Sequence, residues 1–199
     1  MRPGRRAVHI VALLVTLATL ATACTTARMT ATERSSVEQR LLVRSLERAA
    51  VRLDTAPLVG RRVKIDLFAL TSDAYFAREF LRARLERRGL EFVGSGDEAD
   101  VTIQVFAAAL AVDTADTLVG LPAMQAPILA VPIPEIALFK LERSRGHAEI
   151  QTYLYDNRGR LVTRIGDAKG EAKYNRVTLL IFISFAVTDI DDPPVEPLH

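Results

Sequence analysis

The sequence predicts a single α+β domain, a β-sheet of about five to six strands with two helices packed on it. Two stretches, at residues 37–53 and 74–85, carry apolar side chains at helical spacing. Six other stretches are short and either alternate between apolar and polar residues or are continuously apolar, as strands do. The 176 residues from position 24 onward suit one core and make a second domain unnecessary.

The first helix is predicted to begin at Ser35. This serine stands three residues before Glu38, the spacing of a capping box in which each side chain covers a backbone N–H of the other residue. The polar side of the helix mixes acidic and basic residues, which favours packing on its own domain. Its arginines beside an apolar stripe would also suit a membrane surface.

The first half of the chain then reads as strand, helix, strand, strand. Residues 63–70 form the first strand, residues 74–85 the second helix, and Gly89 ends that helix after two arginines. Short alternating stretches follow at residues 90–93 and 101–105.

The second half is predicted to contain a hairpin and one buried strand. Strands at 148–155 and 161–165 flank a turn with Gly159 at its late position, and Gly166 and Gly170 bound a loop. Residues 177–187 have only hydroxyls as polar groups and are too few to span a bilayer as a helix, so a buried strand is expected.

The stretch from 117 to 139 contains four prolines and a single charged residue, Glu135. The prolines argue against a long helix or a central strand, and loops of this length are normally polar. Its apolar residues must therefore be covered by the domain itself, by a second copy, by a partner protein or by lipid. We take Leu121, Ile128 and Val131 as the interface candidates, with burial in the domain as the alternative.

The N-terminus has the pattern of a secretory signal. Arg2, Arg5 and Arg6 precede an apolar run at 7–20, and small residues follow up to the only cysteine of the chain. The segment Leu20-Ala21-Thr22-Ala23-Cys24 resembles the lipobox of bacterial lipoproteins, with Ala21 where leucine is usual. An ordinary cleaved signal and an uncleaved anchor are the alternatives.

The lipobox resemblance implies a lipoprotein signal peptide at 1–23 and a diacylglycerol on the Cys24 thiol, the lipidation site. Because Thr25 is not an aspartate, it also implies an outer-membrane location facing the periplasm. Residues 24–34 are then a flexible tether, 35–188 the domain, and 189–199 an acidic, proline-rich, disordered tail.

The amino-acid composition limits which ligands and reactions the protein is expected to support. The signal holds three of the 26 basic residues and none of the 24 acidic ones, so the remaining chain has a charge of about −1 and does not suit nucleic acid. With Cys24 lipidated and His147 the one histidine inside the domain, neither a metal site nor a cofactor is expected. Asp113 and Asp116 could form a carboxylate pair for acid–base work or a cation site, but solvated carboxylates are the simpler interpretation. Asp189, Asp191 and Asp192 have the look of calcium ligands but lack the glycine and the distal Glu of a calcium loop. Ser72, Ser144 and Ser184 lack a nucleophile-elbow context.

Several short segments, taken together, resemble a family of uncharacterised bacterial lipoproteins, a domain-of-unknown-function family. They are Cys24-Thr25-Thr26, Thr32-Glu33, Gly120-Leu121-Pro122, Val131-Pro132-Ile133-Pro134, Glu135-Ile136-Ala137-Leu138 and Tyr174-Asn175-Arg176. In the order of its predicted strands and helices alone, the chain also resembles the periplasmic domains of curli-secretion-channel and penicillin-binding-protein-activator lipoproteins. That similarity implies a mixed β-sheet with helices on one face and a role in envelope assembly.

The sequence therefore predicts a membrane-anchored envelope protein acting as a non-catalytic binding or assembly module on the periplasmic side. Its expected partners are the membrane, through the N-terminal lipid, and a second copy or another envelope protein. The alternative is an envelope hydrolase or other enzyme with an unrecognised site.

Overall fold

The computed structural model describes residues 34–94, 97–125 and 132–192 of the chain. Within them the predicted α+β class is confirmed, with two helices, a six-stranded mixed sheet and a small two-stranded sheet. The elements are α1 (Ser36–Val51), a 3-10 turn (Ala56–Leu58), β1 (Arg62–Ala69), α2 (Ala74–Glu86), β2 (Glu91–Phe92), β3 (Val101–Leu121), β4 (Met124–Gln125), β5 (Pro132–Ile133), β6 (Ile136–Asp156), β7 (Leu161–Leu179) and β8 (Ile183–Thr188).

The main sheet has the strand order β2-β1-β3-β6-β7-β8. β1 runs parallel to both of its neighbours, β2 and β3. The pairs β3–β6, β6–β7 and β7–β8 are antiparallel. β1 ends at Ala69, opposite Ala107, but β3 continues to Leu121. The sheet therefore has a far end, formed by β3, β6, β7 and β8 alone.

Both helices lie on one face of this sheet, the helix-covered face. Alternate residues of the strands are buried beneath them, because successive side chains of a strand point to opposite faces. The apolar stripe of α1 packs on the same core. The buried set includes Leu42, Leu46, Ala49, Leu81, Ile103, Val105, Ala148, Ile150 and Leu154. The other side of the sheet is called the open face below.

Two glycines let α1 approach the sheet closely. A Cβ on Gly146 of β6 would lie 2.5 Å from the carbonyl oxygen of Leu41, and one on Gly170 of β7 would lie 2.6 Å from the backbone nitrogen of Ala49. Gly170 was expected to bound a loop, but β7 runs through it and through Gly166. The absence of a side chain on Gly170 allows α1 to pack directly against β7.

The predicted start of α1 is confirmed. The Ser35 hydroxyl accepts the backbone N–H of Glu38, and the Glu38 carboxylate accepts the backbone N–H of Ser35. This reciprocal pair satisfies two donors that the first helical turn leaves open.

The prediction of one buried strand at 177–187 is wrong. β7 ends at Leu179 and β8 begins at Ile183, so the stretch is a hairpin whose second strand is exposed along its length. The stretch 117–139 also differs from the expected loop. Its two ends continue β3 and β6, with the β4–β5 pair between them, and residues 126–131 lie outside the described residues.

The structure also differs from the prediction where the tail was expected to begin. Ile190 is only 4% exposed and packs with Leu41 and Ala172. Asp189 accepts a hydrogen bond from Arg48 at 2.9 Å, and Asp191 pairs with Arg40. Four residues after 188 therefore belong to the packed domain, while 193–199 lie outside the described residues.

Candidate functional site

The far end of the sheet extends beyond the cover of α1. Near the first turn of this helix, Val37, Val112 and Tyr174 all pack against the small cluster of Leu41, Ala172 and Ile190. Residues 113–121, 136–145, 173–179 and 183–188 continue past that contact as four paired strands. Because successive residues alternate between faces, the strand register decides which side chains lie together on each face.

On the open face, the far end carries two cross-strand rows that are almost wholly apolar. The register aligns Val119, Phe139, Leu179 and Ile183 in the first row, and Thr117, Leu141, Val177 and Phe185 in the second. Val119 is 55% exposed and Phe185 49% exposed. We call the seven apolar residues of these rows, together with the exposed Val187, the apolar end.

Basic residues lie next to the apolar end on the same face. The third row places Arg143 beside Asn175, and the fourth places Arg145 opposite both Asp113 and Lys173. All three cations are exposed to solvent. The open face thus changes from apolar to basic along the strands, starting from the far end.

The hairpin between β7 and β8 extends the apolar end with three exposed residues, Leu180, Ile181 and Phe182, which we call the tip. Phe182 is 79% exposed. Leu180 and Ile181 have φ angles of 49° and 74°, a left-handed conformation that is costly for bulky side chains. Their backbone N–H groups donate to the carbonyl oxygens of Leu138 and Ala137 at 3.0 and 2.9 Å, which holds the turn in place.

β8 is the outer strand on this side of the sheet. Its sequence, Ile-Ser-Phe-Ala-Val-Thr, contains neither a charged residue nor a proline. Soluble proteins usually protect an outer strand with charges, prolines or bulges, because its unpaired backbone groups can pair with another chain. The outer strand therefore adds to the apolar character of this end.

The helix-covered face at the far end is polar instead. A groove of about 470 Å³ lies there, lined by Glu135, Lys140, Glu142, Tyr174, Arg176, Thr178, Ser184 and neighbouring apolar residues. Lys140 lies 3.0 Å from Glu135 and 3.3 Å from Glu142. The hydrogen bond to Glu135 is the main reason that the pKa of Lys140 is raised, with burial opposing it and Glu142 adding to it.

The charges of this groove are thus already paired with one another. The phenol of Tyr174 accepts a hydrogen bond from Arg176 at 3.2 Å, which is the largest cause of the raised pKa of that guanidinium. A lysine and an arginine whose pKa values are raised remain protonated at neutral pH. The groove therefore contains two protonated cations, Lys140 and Arg176, and the carboxylates of Glu135 and Glu142.

The candidate carboxylates do not come together. Asp113 and Asp116 are three residues apart on one strand and therefore lie on opposite faces of the sheet. Asp113 lies 3.5 Å from His147, and Asp189 is held by Arg48. Among the described residues, no group of three or more His, Cys, Asp or Glu side chains could hold a metal ion.

Of the remaining candidates, the structure describes the serines Ser72, Ser144 and Ser184 and the interface residue Leu121. Ser184 shares a hydrogen bond with Thr178 at 2.9 Å, and Ser72 is an exposed residue before α2. Leu121 ends β3 and is 39% exposed. Ile128, Val131 and Cys24 lie outside the described residues.

Sequence reasoning missed the contribution of β7 and β8 to the apolar end. The signal was present, because Ile183, Phe185 and Val187 alternate with smaller or hydroxylated residues. That alternation is typical of a strand with two different faces rather than of one buried on both.

The chain matches neither a known family model nor a curated protein. In the part of the chain that the structure describes, each helix is too short or too polar to cross a bilayer.

Proposed function

We propose that this protein is a lipid-anchored module of the bacterial envelope, held to the outer membrane through Cys24 and facing the periplasm. In this proposal it belongs with the uncharacterised lipoproteins that it resembles. It acts by binding or assembly rather than by catalysis, and it works through the apolar end.

The exposure of the apolar end carries this proposal. Leaving apolar area in water costs about 25 cal/mol for each Å². Exposed patches that are contiguous and apolar are typical of interaction sites in soluble proteins. Here the patch includes ordered strands, with side chains aligned across four of them, so an occupant would meet a preformed surface.

The enzyme alternative has weaker support. An acid–base mechanism needs convergent ionisable groups within hydrogen-bond reach of a reacting atom. The candidate pair Asp113 and Asp116 is divided between two faces, and Lys140 in the groove is engaged by two glutamates. These arrangements favour a binding module.

The test compares two matched pairs of substitutions at opposite ends of the same sheet. Val119→Ser with Phe185→Ser changes the apolar end. Leu161→Ser with Val162→Ser changes two exposed apolar residues at the start of β7. Each single exposed substitution is expected to alter the free energy of unfolding by no more than about 0.5 kcal/mol.

Association is then measured for the full chain, both as protein complexes in mild detergent and as binding to liposomes. The apolar-end variant should lose one of these associations, while the control variant keeps both. If the apolar-end variant instead unfolds much more easily and associates as the wild type does, the surface is part of the core and the proposal fails.

A further inference from the structure

We infer that the occupant of the apolar end is a lipid bilayer, on which the open face docks with the tip inserted among the acyl chains. This inference rests on the proposed function, because the Cys24 lipid would supply the bilayer. It adds which part of the domain meets the lipid and in what orientation.

The order of side chains along the open face matches the layers of a membrane surface. The tip and the first two rows are apolar except for Thr117. The third row contains Arg143 together with the apolar Val187, and the fourth contains Arg145 and Lys173. Neighbouring rows on one face are about 7 Å apart. Apolar residues that enter by about 5–10 Å, with cations behind them at the headgroups, are typical of proteins that lie in the membrane interface.

Charge distinguishes the two faces of the far end. The exposed cations Arg143, Arg145 and Lys173 lie on the open face. Two carboxylates lie next to them, because Asp113 is opposite Arg145 and Asp189 accepts the backbone N–H of Lys173, so the cations outnumber these carboxylates by three to two. The opposite face carries Asp116, Glu142 and the groove, with its own paired charges. An anionic lipid surface is therefore complementary to the open face.

The tip is suited to insertion by its conformation as well as its composition. Its left-handed residues, Leu180 and Ile181, remain exposed although their backbone is fixed by two hydrogen bonds to β6. A preordered apolar tip loses little conformational entropy when it enters lipid, because the backbone is already held.

The length of the tether allows this docking. Arg34 is ten positions after Cys24, so the chain between them can span at most about 36 Å when fully extended. Val37 in the first turn of α1 and Tyr174 of β7 pack against the same buried cluster. Leu179 is five residues beyond Tyr174 along β7, about 17 Å away. The apolar end is therefore within reach of a membrane that holds the lipid.

A single-tryptophan experiment tests the inference, because the wild-type chain contains no tryptophan. Phe182→Trp places the fluorophore at the tip. Phe68→Trp is the matched control, because Phe68 is half exposed. Phe68 lies beside Phe106, which lies beside Gln151, so all three are in one row of the open face, nearer to the other end of the sheet. Both full-length lipoproteins are reconstituted in vesicles of phosphatidylethanolamine and phosphatidylglycerol with brominated acyl chains.

We expect the bromolipids to quench tryptophan at 182 and not at 68. A solvent-like, unquenched emission at 182 overturns the inference, as does a blue-shifted but unquenched emission, which would show that protein covers the tip. Equal quenching at both positions also overturns it. Failure of either protein to float with the vesicles would instead count against the lipid anchor of the proposed function.

Removing the cations provides a second readout. In the Phe182→Trp background, Arg143→Gln, Arg145→Gln and Lys173→Gln should each shift the equilibrium away from the quenched state by roughly fivefold on anionic vesicles. Arg158→Gln removes the same charge from the β6–β7 turn at the opposite end and should leave quenching unchanged. Equal effects of all four substitutions would contradict docking by the open face.

Discussion

The backbone of Gly170 lies directly against the carbonyl oxygen of Ser45, so that a Cβ at position 170 would overlap this oxygen. A helix cannot lie this close to a sheet over any larger residue. The absence of a side chain on Gly170 therefore allows α1 to cross β7 at this position.

Gly170→Ala should therefore lower the free energy of unfolding by about 1–3 kcal/mol, the usual cost of overpacking a core. Gly159→Ala is the control, because Gly159 has φ +74° but open space around a Cβ, so its cost is limited to about 1–2 kcal/mol of backbone strain. Urea denaturation measures both. A Gly170→Ala protein as stable as the wild type would show that α1 does not pack this closely.

Ser35→Ala should destabilise the protein by about 1 kcal/mol, because it removes the oxygen that accepts the N–H of Glu38. Ser36→Ala, one residue into the helix, is a matched control with little expected effect. Thermal unfolding of the two variants compares them directly, and equal melting temperatures would contradict the cap.

Asp189→Asn should weaken the protein at neutral pH and have no effect in strong acid. Burial raises the pKa of Asp189, but hydrogen bonds from the Lys173 N–H and from Arg48 outweigh it, so the pKa is lowered. A lowered carboxyl pKa stabilises the fold above its unfolded value, about 3.9, and this contribution is lost as pH falls through the folded value.

The effect of Asp189→Asn should be small, about 0.2–1 kcal/mol, because a partly exposed ion pair is screened by water. Urea denaturation at pH 7, 5 and 3 checks the trend, with the exposed Asp192→Asn as control. A difference from the wild type that persists undiminished at the lowest pH would show that charge is not its cause.

Leu121→Ser should change the free energy of unfolding by no more than about 0.5 kcal/mol, because this side chain is partly exposed at the end of β3. Leu46→Ala, in the buried stripe of α1, should cost about 2–5 kcal/mol. Chemical denaturation separates the two. Comparable losses would mean that position 121 is part of the core.

Cys24→Ala should abolish the incorporation of labelled palmitate into the protein, because the thiol of Cys24 is the expected attachment point. Cells expressing the wild type and the variant are fed labelled palmitate, and the two proteins are purified under denaturing conditions. Equal label in both would exclude Cys24 as the site.

The elements that could be predicted from the sequence are those that depend on contacts between close neighbours along the chain. Ser35 and Glu38 cap α1 within one helical turn. The turn after β6 forms because Asp156 accepts the N–H groups of Arg158 and Arg160 and Gly159 takes a positive φ. Such contacts span a few residues, so spacing and residue type are enough to predict them.

The arrangement of the far end, in contrast, depends on contacts between segments that are distant in the chain. The break of 177–187 into a hairpin depends on hydrogen bonds from Leu180 and Ile181 to β6, 42 and 44 residues earlier in the chain. Residue type gives no sign of the left-handed backbone of these two residues. The separation of Asp113 from Asp116, and the alignment of Val119 with Phe139, follow from strand register. Register is set by pairing between distant segments, and a shift of one residue exchanges the two faces of a strand, so the apolar end exists only once the sheet has formed.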